Sequence, residues 1–326
     1  PYCMTLVVFG IDALDPELID SEKHQNLALN HYKTIETISS SKGEPSTHEL
    51  WPTIITGLPP NEHGLTLNEG VAWENPILQA GSRFSDYVLP DSVQTKVGAL
   101  LLNRTSEDAF RMPAKYYEDR DLTTLFDGRV AKAIGIPNYV TDSDSEDREH
   151  QLRRNMGELF ERDPESKGGH VSADSDEFYE QCLEMAMIRT ARIRRALRGR
   201  KYELVFGYTS GLDLVGHVSY DQPSRQQRAY DEIDDFVGEL RGDLRSNDEL
   251  VLVSDHGLQD GLHTKEAMVS ATDPEIIDGV SSVIDIRGAL ENEMTTHEHE
   301  PRFEHEDSNV GNSAAVREQL EDLGYM

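Results

Sequence analysis

A chain of 326 residues with 37 % hydrophobic and 7 % aromatic side chains has the apolar material for one large α/β domain with insertions, or for two ordinary domains, because single cores stop growing at roughly 250–300 residues. No apolar run approaches the roughly 20 residues of a membrane-spanning helix, and the two cysteines, Cys3 and Cys182, are too few for a disulfide framework or a cysteine-based zinc site. The net charge of −30, spread along the whole chain, repels polyanions, so nucleic acid is not an expected partner; with lysine scarce beside Asp and Glu, it indicates adaptation to molar salt, where screening over about 3 Å makes such a charge tolerable.

Pro1 leads straight into the apolar run Thr5 to Phe9, with no basic segment and no small-residue cleavage site before it, and a cytoplasmic location is expected. That run is the first of three stretches rich in Val, Leu or Phe and followed at once by polar residues, the pattern of a buried parallel strand. The segment from Pro45 to Gly64 starts in a loop and continues as a helix with Pro52 in its first turn. From Leu65 to about Lys201 the chain reads as an insertion or modest cap. Within it, Val130 to Ile136, ending at Pro137, is a further strand candidate. Thr141 to Asp176 is dense in Asp, Glu, Ser and Gly and is expected to be an exposed loop or partly ordered insertion. Phe178, Cys182, Met185, Ala186, Ile193 and Leu197 then mark an amphipathic helix. It carries a basic cluster, Arg189, Arg192, Arg194, Arg195, Arg198, Arg200 and Lys201. Such a cluster suits an anionic ligand or a partner subunit; the plainer expectation is that it complements the helix C-terminus and neighbouring acids.

Glu203 to Tyr208 and Glu249 to Val253 are the second and third strands. Between them Asp221 is placed to cap a helix, Pro223 suits its first turn, and Ala229, Ile233, Phe236, Val237, Leu240 and Leu244 fall at helical spacing. Strand, long helix, strand is a βαβ unit, which implies a parallel sheet with covered faces. The acidic tail from Glu291 to Asp307, with His297, His299 and His305, reads as a solvated linker before a short terminal helix through Val316 and Leu320. The expected architecture is a single α/β domain over residues 1–326. It has a mainly parallel central sheet, helices on both faces, an insertion or small cap within about 65–200, and an acidic tail with a terminal helix at 291–326.

In open α/β sheets ligands bind beyond the carboxyl ends of the strands. Asp12 stands just after the first strand, Asp213 and His217 follow the second, and Asp255 and His256 close the third, with His263 and Thr264 seven residues on. Any one of these is an ordinary cap or turn residue; together they bring carboxylates and imidazoles to one sheet edge. Without thiolate, that donor set suits Zn²⁺ or Mn²⁺, and five or six ligands suffice for two ions roughly 4 Å apart, the arrangement that clamps both oxygens of a phosphoryl transfer. Thr47, just before the Pro52 helix, faces the positive end of its dipole, which favours an alkoxide and an incoming phosphate. His48 either lines the pocket beside it or is simply exposed. Asn138, after the strand near Ile136, either donates to a phosphate oxygen or makes a turn.

Thr47 lies nine positions before the pair Thr56-Gly57 and is followed by Pro59, Pro60 and His63-Gly64. This resembles the nucleophile segment of the alkaline phosphatase superfamily, in particular its type I phosphodiesterase and nucleotide pyrophosphatase branch. The resemblance runs from Asp12 to His263, although Leu65 to Lys201 contributes little to it. It implies an alkaline phosphatase-like fold in which Asp12 is the first metal-binding aspartate and Thr47 the nucleophile. Asp213 with His217 matches the Asp-x-x-x-His pair, and Asp255-His256-Gly257 the Asp-His-Gly signature. By that likeness Asp12, Thr47, Asp255 and His256 would hold one ion, and Asp213, His217 and a further histidine the other. Phosphodiesterases of this kind often place that histidine far downstream, where His297 and His299 stand, whereas the phosphomutase branch uses a His-Thr pair soon after Asp-His-Gly. His263-Thr264 fits the second pattern, so His263 is the expected ligand. His63 follows the nucleophile helix and is expected to be structural.

The activity implied is metal-dependent hydrolysis of a phosphate ester through a phosphothreonine on Thr47, with two divalent ions, zinc or manganese, and a small phosphorylated substrate such as a nucleotide. Phosphomonoesterase or phosphomutase activity is the alternative within the superfamily, and a non-catalytic phospholigand-binding protein the alternative outside it. A sulfatase is not expected, since Ser46-Thr47-His48-Glu49-Leu50 lacks the Pro and Arg of that branch.

Overall fold

A computed structural model describes residues 4–40, 43–66, 112–141, 150–163 and 165–296. β1 (Leu6–Ile11) is buried at all six positions. Its side chains alternate between two cores: Leu6 and Val8 enter one, Val7, Phe9 and Ile11 the other. An apolar run without polar alternation is what a strand covered on both faces requires. β2 (His31–Glu36) is more polar and more exposed, and α1 (Thr47–Thr56) follows it. β3 (Ala131–Ile134) precedes α2 (His150–Leu159), which runs into a hairpin of β4 (Phe160–Arg162) and β5 (His170–Ser172). α3 (Ser175–Gly199) opens with the Asp174 carboxylate accepting from the Glu177 N–H, an N-cap of ordinary form. Then come β6 (Leu204–Thr209), α4 (Gly211–Val218), α5 (Pro223–Arg241) and β7 (Glu249–Val253). A small hairpin, β8 (Leu258–Gln259) and β9 (Leu262–His263), leads to β10 (Glu266–Ala271) and finally α6 (Ile286–Thr296).

The central sheet has the order β2-β10-β7-β1-β6-β3. β7, β1, β6 and β3 run parallel, and β10 is antiparallel to both β7 and β2. One face is covered by Leu50, Trp51 and Ile54 of α1 with Ile286 and Leu290 of α6. The other is covered by Cys182 and Ile193 of α3, Leu212 of α4, and Ile233 and Val237 of α5. A mostly parallel sheet with helices on both faces is the expected α/β class. Its parallel strands deliver their C-terminal ends to one edge. Among the described residues no helix is long and apolar enough to cross a membrane.

Several local expectations change. β1 runs two residues past Phe9, and β3 is confined to Ala131–Ile134. Asp221 does not cap α5: Gln222 stands at the cap without a side-chain bond, and its N–H donates to the Ser219 carbonyl, so Asp221 lies inside the preceding turn. Leu244 lies beyond the helix end, although it still packs on the same core. Thr141 to Asp176 is more than a loop, since α2 and the β4–β5 hairpin fall within it. Phe160 stacks on both His170 and Phe178, which anchors that hairpin to α3. Residues 142–149 and 164 lie outside the described residues, as do His297, His299, His305 and the expected terminal helix.

Candidate metal centre

Asp12 directly follows β1, and its N–H donates to the Thr209 carbonyl at 3.0 Å, extending the β1–β6 ladder by one step. Asp255 and His256 follow β7, both fully buried. Their backbone is pinned by Thr37 Oγ1, which donates to the Asp255 carbonyl at 2.6 Å, and by Ser254 Oγ, which donates to the His256 carbonyl at 2.9 Å. Asp213 and His217 stand one turn apart on α4 and so share a face. His263 is carried back to the same edge by the β8–β9 hairpin, where it pairs with Leu258. Thr47 is the first residue of α1, at the positive end of the helix.

These seven residues converge. Asp12, Asp255 and His256 each offer a ligand atom within 4.8 Å of the others, and so do Asp213, His256 and His263. His256 Nε2 lies 3.3 Å from Asp12 Oδ1 and 3.5 Å from Asp255 Oδ2. His217 and His263 each present Nε2 to Asp213 Oδ1 at 3.4 Å, and the two nitrogens are 2.9 Å apart. Thr47 Oγ1 sits 3.4 and 3.3 Å from the Asp12 carboxylate oxygens and 3.3 Å from His256 Nε2. The one departure from the expected division is that His256 stands with Asp213 and His263 as well as with Asp12 and Asp255.

The donor set fits divalent cations. Each imidazole has its Nδ1 against backbone carbonyls: His217 on Gly168 and Gly261 at 3.1 Å each, His256 on Gly257 at 3.1 Å, His263 on Pro45 at 2.9 Å. A carbonyl only accepts, so these contacts assign the Nδ1–H tautomer and leave three Nε2 lone pairs directed inward. Lone pairs facing one another and facing carboxylates repel; a cation between them turns that repulsion into coordination. Both Asp255 carboxylate oxygens and Asp213 Oδ1 are buried and have no hydrogen-bond partner among the described residues, a costly state that a cation also relieves.

The sequence model for type I phosphodiesterase / nucleotide pyrophosphatase matches residues 6–319. The chain belongs to this family. It thereby stands among phosphoester hydrolases. No curated protein matches the sequence. Among solved structures, the chain is similar to the PH0037 protein from Pyrococcus horikoshii, at TM-score 0.48 and 12% identity over 92% of this chain and 99% of that one. It is also similar to alkaline phosphatase from the Antarctic bacterium TAB5, at TM-score 0.44 and 12% identity over 91% and 99%. Murine ectonucleotide pyrophosphatase / phosphodiesterase 5 matches at TM-score 0.38 and 15% identity over 78% and 57%. The assignment rests on the family match.

The electrostatics of this phosphodiesterase-family site follow from crowding acids where water is excluded. Burial, then the Asp213 charge, lifts the Asp12 carboxyl to about 7. Burial, then the Asp12 charge, holds Asp255 well above the usual carboxylate range. Asp213 escapes: burial pushes it up, but His217 and His263 together draw it well below that range. Burial drives His256 down to about 3. Without a cation, His263 resists its burial and is raised to about 9 by the Asp213 carboxylate facing it, which also raises His217.

Three contributors to the site escape a reading of the sequence. Tyr208 donates to Asp12 Oδ2 at 2.5 Å, and nothing in the spacing of β6 distinguishes it from a core aromatic. Gly168, at the tip of the β4–β5 hairpin, supplies the His217 carbonyl acceptor. His170 places its ring edge-on to His217 with centroids 5.3 Å apart. Of the remaining candidates, His48 lines the cavity beside Thr47 and is pushed down to about 3 by burial. Asn138 adopts a left-handed turn, φ +56°, and its Nδ2 donates to the His48 carbonyl at 3.0 Å, tying the end of β3 to the first turn of α1. His63 is buried against Thr53 and the Glu49 carbonyl, as a structural residue.

Proposed function

We propose that this chain hydrolyses phosphate esters as a phosphodiesterase or nucleotide pyrophosphatase through a phosphothreonine on Thr47, with two divalent cations, zinc or manganese. The observation that carries the reading is the position of Thr47 Oγ1, within 3.4 Å of both Asp12 carboxylate oxygens and of the inward Nε2 of His256. Asp12, Asp255 and His256 would hold one cation beside that oxygen, and Asp213, His217 and His263 the other. When bound, the pair supplies the positive charge that lowers the hydroxyl pKa and draws in the phosphate.

The protein's own groups do the rest. The Thr47 hydroxyl already donates toward Asp12, and Tyr208 fixes that carboxylate by donating to its Oδ2. The first turn of α1 directs its positive end at the incoming phosphate. Attack forms the Oγ1–phosphorus bond as the bond to the leaving ester oxygen breaks; water then attacks phosphorus, releases the product acid and returns Thr47. Nδ1–H contacts to Pro45, Gly168, Gly257 and Gly261 keep the imidazoles from turning away during both steps. Three carboxylates against two divalent ions leave about +1 locally, which suits a small phosphorylated substrate such as a nucleotide despite the −30 of the chain. That overall charge suits a protein working in molar salt.

His263, so close after Asp255-His256, is also the feature shared by resemblance with phosphomutases, which makes monoester hydrolysis or intramolecular transfer the second reading. Nitrophenol release from mono- and diester reporters separates them. Thr47→Ala is expected to keep its metal content within about twofold and to lose turnover by about three orders of magnitude, since the ligands remain and the nucleophile is gone. Acid quench of the unaltered protein with a diester should leave phosphate on the peptide carrying Thr47. Turnover of the alanine variant within about tenfold of the parent would rule out covalent catalysis there.

A further inference from the structure

A cavity of about 360 Å³ opens at Thr47 and runs away from the metal ligands, between the C-terminal ends of β6 and β3. Its volume is that of a small-molecule site. Tyr208 and Thr209 line one side, Ile136 and Pro137 the other, and Phe160 and Phe178 belong to a largely apolar wall. One strongly charged group stands in that wall. Arg189 of α3 lines the cavity and is only 3% exposed.

Its placement is specific. Arg189 falls on the buried stripe of α3, seven residues after Cys182 and four before Ile193, so the helix aims it inward rather than toward the solvated C-terminal turn. The guanidinium then rests against Gly135, just past β3. A Cβ on Gly135 would come within 1.2 Å of Nη1, and the residue has φ +66°, so any other side chain would both collide and be strained. Further along the same helix, Arg194 and Arg198 bind Asp243 at 2.6–2.9 Å nearer the surface.

We infer that this cavity binds the retained arm of the substrate, and that Arg189 selects an arm that is largely apolar and ends in an oxyanion, a carboxylate or a second phosphate. The inference rests on Thr47 being the phosphoryl acceptor. In-line displacement puts the leaving group on the far side of phosphorus from Thr47 and the retained arm beside that axis; a cavity that starts at Thr47 and is lined by none of the Asp and His ligands is placed to receive the arm that stays. A guanidinium presents a planar fork matched to a carboxylate or phosphate, and it discriminates most strongly where apolar walls exclude water. A neutral aryl arm would fill the apolar wall and leave the guanidinium without that recognition.

Three 4-nitrophenyl diesters test this on the metal-loaded protein, with phenyl, 4-carboxyphenyl or 4-phosphophenyl as the second arm. One or both charged arms should exceed phenyl in kcat/KM by at least about tenfold, and which of them does so identifies the oxyanion. Arg189→Gln should collapse that ratio by a similar factor. Binding of phenylphosphonate and 4-carboxyphenylphosphonate, measured by calorimetry on the unaltered holoprotein, reads the same preference without turnover or a variant. Absence of nitrophenol release with a retained preference for carboxyphenylphosphonate would overturn the proposed hydrolysis and leave the anion subsite standing. Equal or weaker binding and turnover of the charged arms would overturn the subsite while leaving hydrolysis intact.

Discussion

Chelating the cations should destabilise the fold, and by an amount that depends on pH. The site brings the buried carboxylates of Asp12 and Asp255 together with the half-buried one of Asp213, and both oxygens of Asp255 are without a hydrogen-bond partner among the described residues. A ligand held only by the folded state stabilises it by about 2.7 kcal/mol at one hundred times its Kd and about 4.1 at one thousand times. Two ions bound in this way would therefore contribute about 5–8 kcal/mol. At roughly 2.1 cal/mol/K per residue, a chain of this length has an unfolding entropy of about 0.7 kcal/mol/K, so removal should lower Tm by about 8–12 °C. The pH dependence follows from Asp12 and Asp255, whose pKa values are raised without a cation. For a carboxyl raised in the folded state, the stability is present below about 4 and is lost as pH rises through the folded value, about 7 for Asp12. The chelated protein should thus weaken between pH 5 and 8 while the loaded one does not, and the gap should be larger at pH 8 than at pH 6. Differential scanning calorimetry with and without chelator at both values measures it. A gap below about 2 °C at pH 8, or one that shrinks as pH rises, would refute the idea that these acids are organised around cations.

Asp255→Asn removes one negative ligand from the group nearest Thr47 and should lower bound metal by about one ion per chain, read by elemental analysis, with Asp213, His217 and His263 still loaded. Gly168→Ala puts a Cβ within 2.3 Å of the His217 carbonyl and 2.9 Å of the Tyr220 ring; displacing the hairpin costs His217 an Nδ1 acceptor, and chelator competition should show affinity down by about 10–100-fold. His63 accepts the Leu65 N–H on Nδ1 at 3.2 Å, and burial holds it down to about 4. Unlike a raised group, it stabilises above its unfolded value of about 6.5 and loses that contribution as pH falls toward 4, at most about 3 kcal/mol. His63→Gln should therefore flatten the urea-unfolding stability between pH 6.5 and 4, and an unchanged slope would place the acid sensitivity elsewhere.

The strands that position the ligands were legible because burial on both faces writes them as uninterrupted apolar runs: β1, β6 and β7 each read directly, and so did the acids and imidazoles at their ends. β2 and β10 were not, since His31 to Glu36 is polar and partly exposed and Glu266 to Ala271 mixes Glu, Ala, Met, Val and Ser without a continuous branched or aromatic run; they pair antiparallel to each other, and β10 antiparallel to β7. The β4–β5 hairpin was hidden in an acidic stretch for a similar reason. Its strands are three residues long, and what holds them, Phe160 on Phe178 and Gly168 on His217, is contact across long sequence distance. Arg189 did carry a signal, its place on the apolar stripe of α3, but it was masked by the run of surface arginines that follows.

The central claim is that Asp12, Asp213, His217, Asp255, His256 and His263 gather two cations beside the Thr47 oxygen. Anomalous diffraction at the zinc and manganese edges, from crystals of the metal-loaded protein, tests it most directly. The expected result is two peaks about 4 Å apart, one against Asp12, Asp255 and His256 and one against Asp213, His217 and His263, with Thr47 Oγ1 touching the first. A single peak, or peaks away from these residues, would contradict it.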